Sequence, residues 1–128
     1  MTTKTILLAS NEPTIREVLQ ACLADLGGLD VLATNISPDG LRQAEEKQPD
    51  AIILSLTTAA DNGLVFLEKL KQNAKTQDIP VVLLIGRAKW LSLNIPERYY
   101  ISGVVSDSME PTLLLEKVKA ILGWDILP

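Results

Sequence analysis

Apolar residues in this chain come in two rhythms that take turns from one end to the other. Thr5-Ile6-Leu7-Leu8-Ala9, Asp50-Ala51-Ile52-Ile53-Leu54 and Pro80-Val81-Val82-Leu83-Leu84 are apolar without a break after their first residue. A strand with one wet face would alternate, so unbroken runs predict strands covered on both faces. Between them the spacing changes to that of a helix. Ile15, Val18, Leu19, Cys22, Leu23 and Leu26 fall on one face of a helix that Pro13 opens, with Asn11 or Glu12 as cap and Gly27-Gly28 as stop. Asp30 to Thr34 reads as a short second strand. Ser37-Pro38 then repeats the cap-and-proline start, opening a helix through about Lys47 that ends before Pro49.

The second half follows the same rule. Thr57 to Asn62 is a polar loop, and Gly63 introduces a helix whose buried face is Leu64, Leu67 and Leu70. The last helix starts at Pro111, shows Leu114, Leu115, Val118, Ile121 and Leu122 on one face, and stops at Gly123. Arg87 to Ser102 fits a helix only loosely, because Pro96 interrupts Trp90, Leu91, Leu93 and Ile95. Five strands and five helices in alternation give an α/β doubly wound parallel sheet with helices on both faces, in the flavodoxin-like order 2-1-3-4-5.

Composition narrows the classes. A chain of 128 residues, 47% of them apolar and only 4% aromatic, suits one layered core built from Leu, Ile, Val and Ala. It reads as a single globular unit over residues 1–128, with no output domain attached. The net charge of −4 comes without a basic stripe, which argues against direct binding to nucleic acid. No apolar stretch reaches the length of a membrane span, and a lone cysteine forms no internal disulfide, so a cytoplasmic protein away from membranes is expected. Cys22 itself packs as a small apolar residue. Lys69, Lys71 and Lys75 read as a solvated helix face, and Trp124 beside Gly123 as a side chain folded back on the last helix.

Ligands of such a sheet sit beyond the carboxyl ends of the central strands. The residues that the runs lead into are Ser10-Asn11, Ser55 and Ile85-Gly86, and a Glu110-Pro111 pair precedes the last helix. With Pro49-Asp50, Asn62-Gly63-Leu64 and Ile79-Pro80-Val81-Val82, this layout resembles the receiver domain of bacterial response regulators over nearly the whole chain. The resemblance implies two acidic residues after the first strand, a phosphorylatable aspartate ending the third, a Thr or Ser ending the fourth, and a lysine before a proline after the fifth. Matched to that pattern, this chain holds Ser10 and Asn11, Ser55, Ile85, and Glu110 before Pro111. The aromatic that changes rotamer with the switch falls at Asp107.

None of these residue types does the implied chemistry. Ser55 offers a hydroxyl, weak without a base, in a chain with no histidine. Ser10 and Asn11 give Mg²⁺ only neutral oxygens, Glu110 reverses the sign of the phosphate-steadying cation, and Ile85 has no hydroxyl to pull. The expected protein is therefore a degenerate pseudo-receiver without enzyme activity, metal or cofactor. It works by contact with a protein partner, either another signalling protein or a second copy. Its contact surface is placed at the irregular segment and the final helix, where Trp90, Tyr99 and Tyr100 supply anchors. Two alternatives stay open: an active phosphorelay receiver with unusual chemistry, and a small-ligand module using hydroxyls and a helix N-terminus to hold an anion or nucleotide in the same crevice. Glu12 adds charge and Pro13 removes a donor, and both weigh against the second. The plainest reading of Ser10, Asn11 and Ser55 is that they are polar residues capping strands and the first helix.

Overall fold

The computed structural model describes residues 3–56, 63–85, 101–106 and 110–124. Its strands are β1 (Thr5–Ser10), β2 (Asp30–Thr34), β3 (Ala51–Leu56), β4 (Val81–Ile85) and β5 (Gly103–Ser106). All neighbours pair in parallel, in the order β2-β1-β3-β4-β5, so the expected 2-1-3-4-5 topology is the observed one. The described α-helices are α1 (Pro13–Ala21), α2 (Pro38–Lys47), α3 (Gly63–Gln72) and α4 (Pro111–Leu122). The weakly helical segment around Trp90 and Pro96 lies outside the described residues.

Period-two geometry divides each unbroken apolar run between two cores. Leu7 and Ala9, Ile52 and Leu54, and Val81, Leu83 and Ile85 point to one face, where Ala44, Phe66, Leu67 and Leu70 cover them. Ile6 and Leu8, Ala51 and Ile53, and Val82 and Leu84 point to the other, against Leu19, Leu23, Leu114, Leu115 and Val118. Every residue of β3 and β4 is buried, and it is for this reason that these runs do not alternate in polarity.

Local signals set the helix ends. Glu12 is the N-cap of α1, its carboxylate accepting from the Thr14 N–H at 3.3 Å, with Pro13 in the first turn. Ser37 caps α2 by accepting from the Gly40 N–H at 3.3 Å. Gly123 ends α4 in the left-handed region, at φ 72°. Strands run one or two residues further than the apolar runs suggest, so Ser10 closes β1 and Ser55 lies inside β3.

The structure corrects two helix faces. Val18 is 49% exposed, whereas Leu19, Cys22 and Leu23 are buried as expected. After Ala21 the helix widens into a π turn, Cys22–Leu26, which shifts the angular position of everything after it. In α3 the buried side chains are Phe66, Leu67 and Leu70, with Leu64 only partly covered. The helix starts hard against the sheet. A Cβ at Gly63 would lie 1.7 Å from Leu56 Cδ2, so any larger residue would push the Leu56 side chain aside.

The lysines also part company. Lys71 is half-buried and donates to the carbonyls of Gln77 and Ile79 at 3.3 and 3.2 Å. Its burial pushes the ammonium pKa down, with Asp78 pulling the other way. Lys75 pairs with Glu45 at 3.3 Å. Of the three, Lys69 and Lys75 stay solvated as the sequence suggests, and Lys71 does not.

Candidate functional site

Strand register brings three of the expected site residues to one end of the sheet. Ser10 and Ser55 are direct partners across β1 and β3, Leu56 is paired with Ile85 on β4, and Ile85 with Ser106 on β5. Ser10 and Ser55 have no exposed surface, and Ile85 has 1%. Ile85 packs into the core with Leu54, Leu56, Phe66 and Leu83, so this position of the strand end is sealed by an apolar side chain.

The first loop consumes its own polar atoms. Ser10 Oγ accepts from the Glu12 N–H at 3.1 Å and faces the Glu12 carbonyl at 3.4 Å. Asn11 is exposed, yet its Oδ1 accepts from the Ile36 N–H at 2.9 Å and so ties the loop to the segment leaving β2. Hydrogen bonds to nearby backbone therefore engage both Ser10 and Asn11. Cap duty on α1 belongs to Glu12 alone.

Arg16 also reaches this end of the sheet, which the sequence reading did not foresee. Its Nη1 donates to the Ser10 carbonyl at 2.7 Å and to Asn35 Oδ1 at 2.6 Å, setting a cation beside the end of β1. The only signal for it was spacing: a residue one turn into a helix can reach back over the strand that feeds it.

Ser55 does not follow its partner. Its Oγ is buried with no hydrogen-bond partner, the one such side-chain atom among the described residues. A buried hydroxyl left unpaired costs about 1–3 kcal/mol.

Glu110 is placed differently from the serines. β5 closes at Ser106, and Glu110 is the exposed N-cap of α4, its carbonyl accepting from the Leu114 N–H at 2.8 Å while its side chain caps nothing. The residue that follows directly on β5 in sequence is Asp107, which lies outside the described residues, as do Trp90, Tyr99 and Tyr100. Among the described residues, no three His, Cys, Asp or Glu side chains gather as a metal-ligand set, and no helix is long and apolar enough to cross a membrane. Burial raises the pKa of Cys22, the lone cysteine, consistent with a packing role.

Comparison with known proteins agrees with this geometry. The chain is 27% identical over 126 residues to the phosphate regulon transcriptional regulatory protein PhoB of Pseudomonas aeruginosa, covering 95% of this chain and 53% of that protein. It is 36% identical over 84 residues to PhoB of Klebsiella pneumoniae, covering 66% of this chain and 36% of the other. The chain thus spans about a third to a half of the length of these curated relatives. In fold it is similar to the chemotaxis response regulator CheY4 of Vibrio cholerae, with a TM-score of 0.83 at 18% identity, over 94% of this chain and 99% of that one. The response regulator receiver domain matches residues 6–118, and the chain, with the parallel sheet and strand order described above, belongs to that family.

Proposed function

We propose that this receiver domain acts in two-component signalling as a pseudo-receiver, through constitutive protein–protein contact and without taking up a phosphoryl group. Ser55 carries the reading. At the acceptor position stands a hydroxyl that is fully buried and unpartnered, in a chain with no histidine to deprotonate it. A serine without a base is a poor nucleophile.

The donors at the end of β1 do not fit Mg²⁺, which takes carboxylate and water oxygens in an octahedral shell. Ser10 Oγ and Asn11 Oδ1 are neutral and already accept backbone N–H groups. The cation position fares no better: Asp107, next after β5, and Glu110, at the α4 cap, are both acidic. Ile85 supplies no hydroxyl for a switch. Incubation with acetyl phosphate and Mg²⁺, followed by intact-mass measurement, should show no added phosphoryl group, and stoichiometric labelling would overturn the proposal.

With no phosphorylation to shift the population, the partner must read the conformation that already dominates. We place the contact surface on residues 87–107 and α4, because that stretch holds three of the four Trp and Tyr residues of the chain. Substituting whichever of Trp90, Tyr99 and Tyr100 is exposed should weaken self-association or partner capture while leaving the fold intact.

The orphan hydroxyl of Ser55 also favours a second reading, in which a small anion or nucleotide in the crevice accepts or donates the missing hydrogen bond. A thermal-shift screen against nucleotides and flavins tests it. A stabilisation that Ser55→Ala removes would replace the contact-module reading with this one.

A further inference from the structure

On the opposite side of the sheet from α1, helices α2 and α3 leave a groove of about 360 Å³ between them. Ile36, Leu41, Val65 and Phe66 form its apolar surface, and Lys69 lies on its wall. Ile36 and Phe66 are themselves core side chains, only 8% and 3% exposed, while Val65 is 49% exposed. A concavity whose floor is continuous with the core and whose rim carries an exposed valine differs from a scattered surface apolar residue. Its volume falls at the lower end of the range, about 300–1,000 Å³, typical of small-molecule sites.

Polar groups nearby are already engaged, with one exception. The Ser37 hydroxyl is held by its cap bond to the Gly40 N–H. Lys71 and Lys75 are bonded to the loop carbonyls and to Glu45. Arg42 pairs with Asp39. Lys69 makes no hydrogen bond or ion pair with any described residue, so the groove offers an apolar wall and one uncommitted cation. An acidic protein surface would meet the −4 net charge of the whole chain, whereas a ligand with a single carboxylate brings one charge to one ammonium.

The geometry points to a binding site for a small monocarboxylate with an aliphatic or aromatic tail, its carboxylate on Lys69 and its tail against Leu41, Val65 and Phe66. Charge-assisted hydrogen bonds are about twice as strong as neutral ones, so the head group, and not only the tail, should decide affinity.

Titration of ¹⁵N-labelled protein with 4-phenylbutyrate, and with its uncharged amide, tests this. Saturable amide shifts should cluster at residues 36–41 and 65–69, with the acid binding roughly tenfold more tightly than the amide. Lys69→Gln should bring the acid down to the affinity of the amide. Val65→Glu, at a half-exposed position where folding can be verified by circular dichroism, should abolish binding of both. No saturable shifts, equal affinity for acid and amide, or unchanged acid binding by Lys69→Gln would each overturn the assignment. So would a change in sedimentation of the ligand-free chain on Val65→Glu, which would mean that a second copy occupies the groove.

Discussion

The two edges of the sheet treat a buried hydroxyl in opposite ways. At the amino edge, leading into β4, Thr76 is 1% exposed and its Oγ1 donates to the Leu70 carbonyl at 2.7 Å. Around it, Asn73 and Lys75 both bind Glu45, and Gln48 donates to the carbonyls of Glu45 and Lys75. Each side chain there ties one loop to another. At the carboxyl edge Ser55 is buried as completely and bonds to nothing described, although its register partner Ser10 is satisfied by the chain's own turn into α1. One edge is built for stability. The other leaves a buried hydroxyl unpartnered among the described residues.

The harshest way to break this contrast is to put a carboxylate at position 55. Ser55→Asp should lower stability by about 3–5 kcal/mol at neutral pH, because an ionised group would be buried without a counter-ion. Burial raises the carboxyl pKa of the folded state, so the folded form holds the proton longer than the unfolded form. The penalty should be complete above that raised pKa and should vanish as pH falls below the ordinary aspartate range. Urea unfolding across pH checks this, and the same variant should stay unlabelled by acetyl phosphate. Labelling would show a more competent crevice than its residues suggest.

Removing the satisfied hydroxyl sharpens the contrast. Thr76→Val keeps the shape and leaves the Leu70 carbonyl without its donor, which should cost about 1–2 kcal/mol in urea unfolding. Ser55→Ala should act in the other direction. Deleting a hydroxyl with no partner should leave stability unchanged or raise it by up to about 1 kcal/mol. A loss comparable to that of Thr76→Val would mean that Ser55 has a partner after all.

The smallest effect concerns Glu45, which is half-exposed. Its hydrogen bond from Asn73, then Lys75, holds its carboxyl below the usual range. A lowered folded-state pKa gives stability that is present above the ordinary glutamate pKa and lost as pH falls through the lowered value. Glu45→Gln should therefore lower neutral stability slightly and flatten the acid limb of the stability curve by the same small amount. A steeper acid limb would reverse the sign assigned to this network.

Much of this was written in the sequence, and the exceptions have physical causes. Strands β1, β3 and β4 were legible because burial on both faces forces apolar residues at every position, a demand no loop makes. The starts of α1, α2 and α4 were legible because proline and a capping side chain act on their own neighbours. Val18 and Phe66 were misassigned because a regular 3.6-residue period does not settle which side of a short helix meets the sheet. Glu110-Pro111 can be read as a strand exit or as a helix cap. Only the pairing of β5, which ends at Ser106, decides for the cap.

What residue types dictate alone is the inventory at this strand end: two hydroxyls, an amide and an isoleucine. Tertiary structure decided which of them has a partner. Ser10 and Ser55 are the same residue type, face one another in register and are equally buried. Ser10 is satisfied because the backbone turns beneath it within two residues, and such short-range hydrogen bonds follow from local sequence. Ser55 depends on what other strands and loops bring over it, and a chain read one residue at a time carries no record of that long-range arrangement.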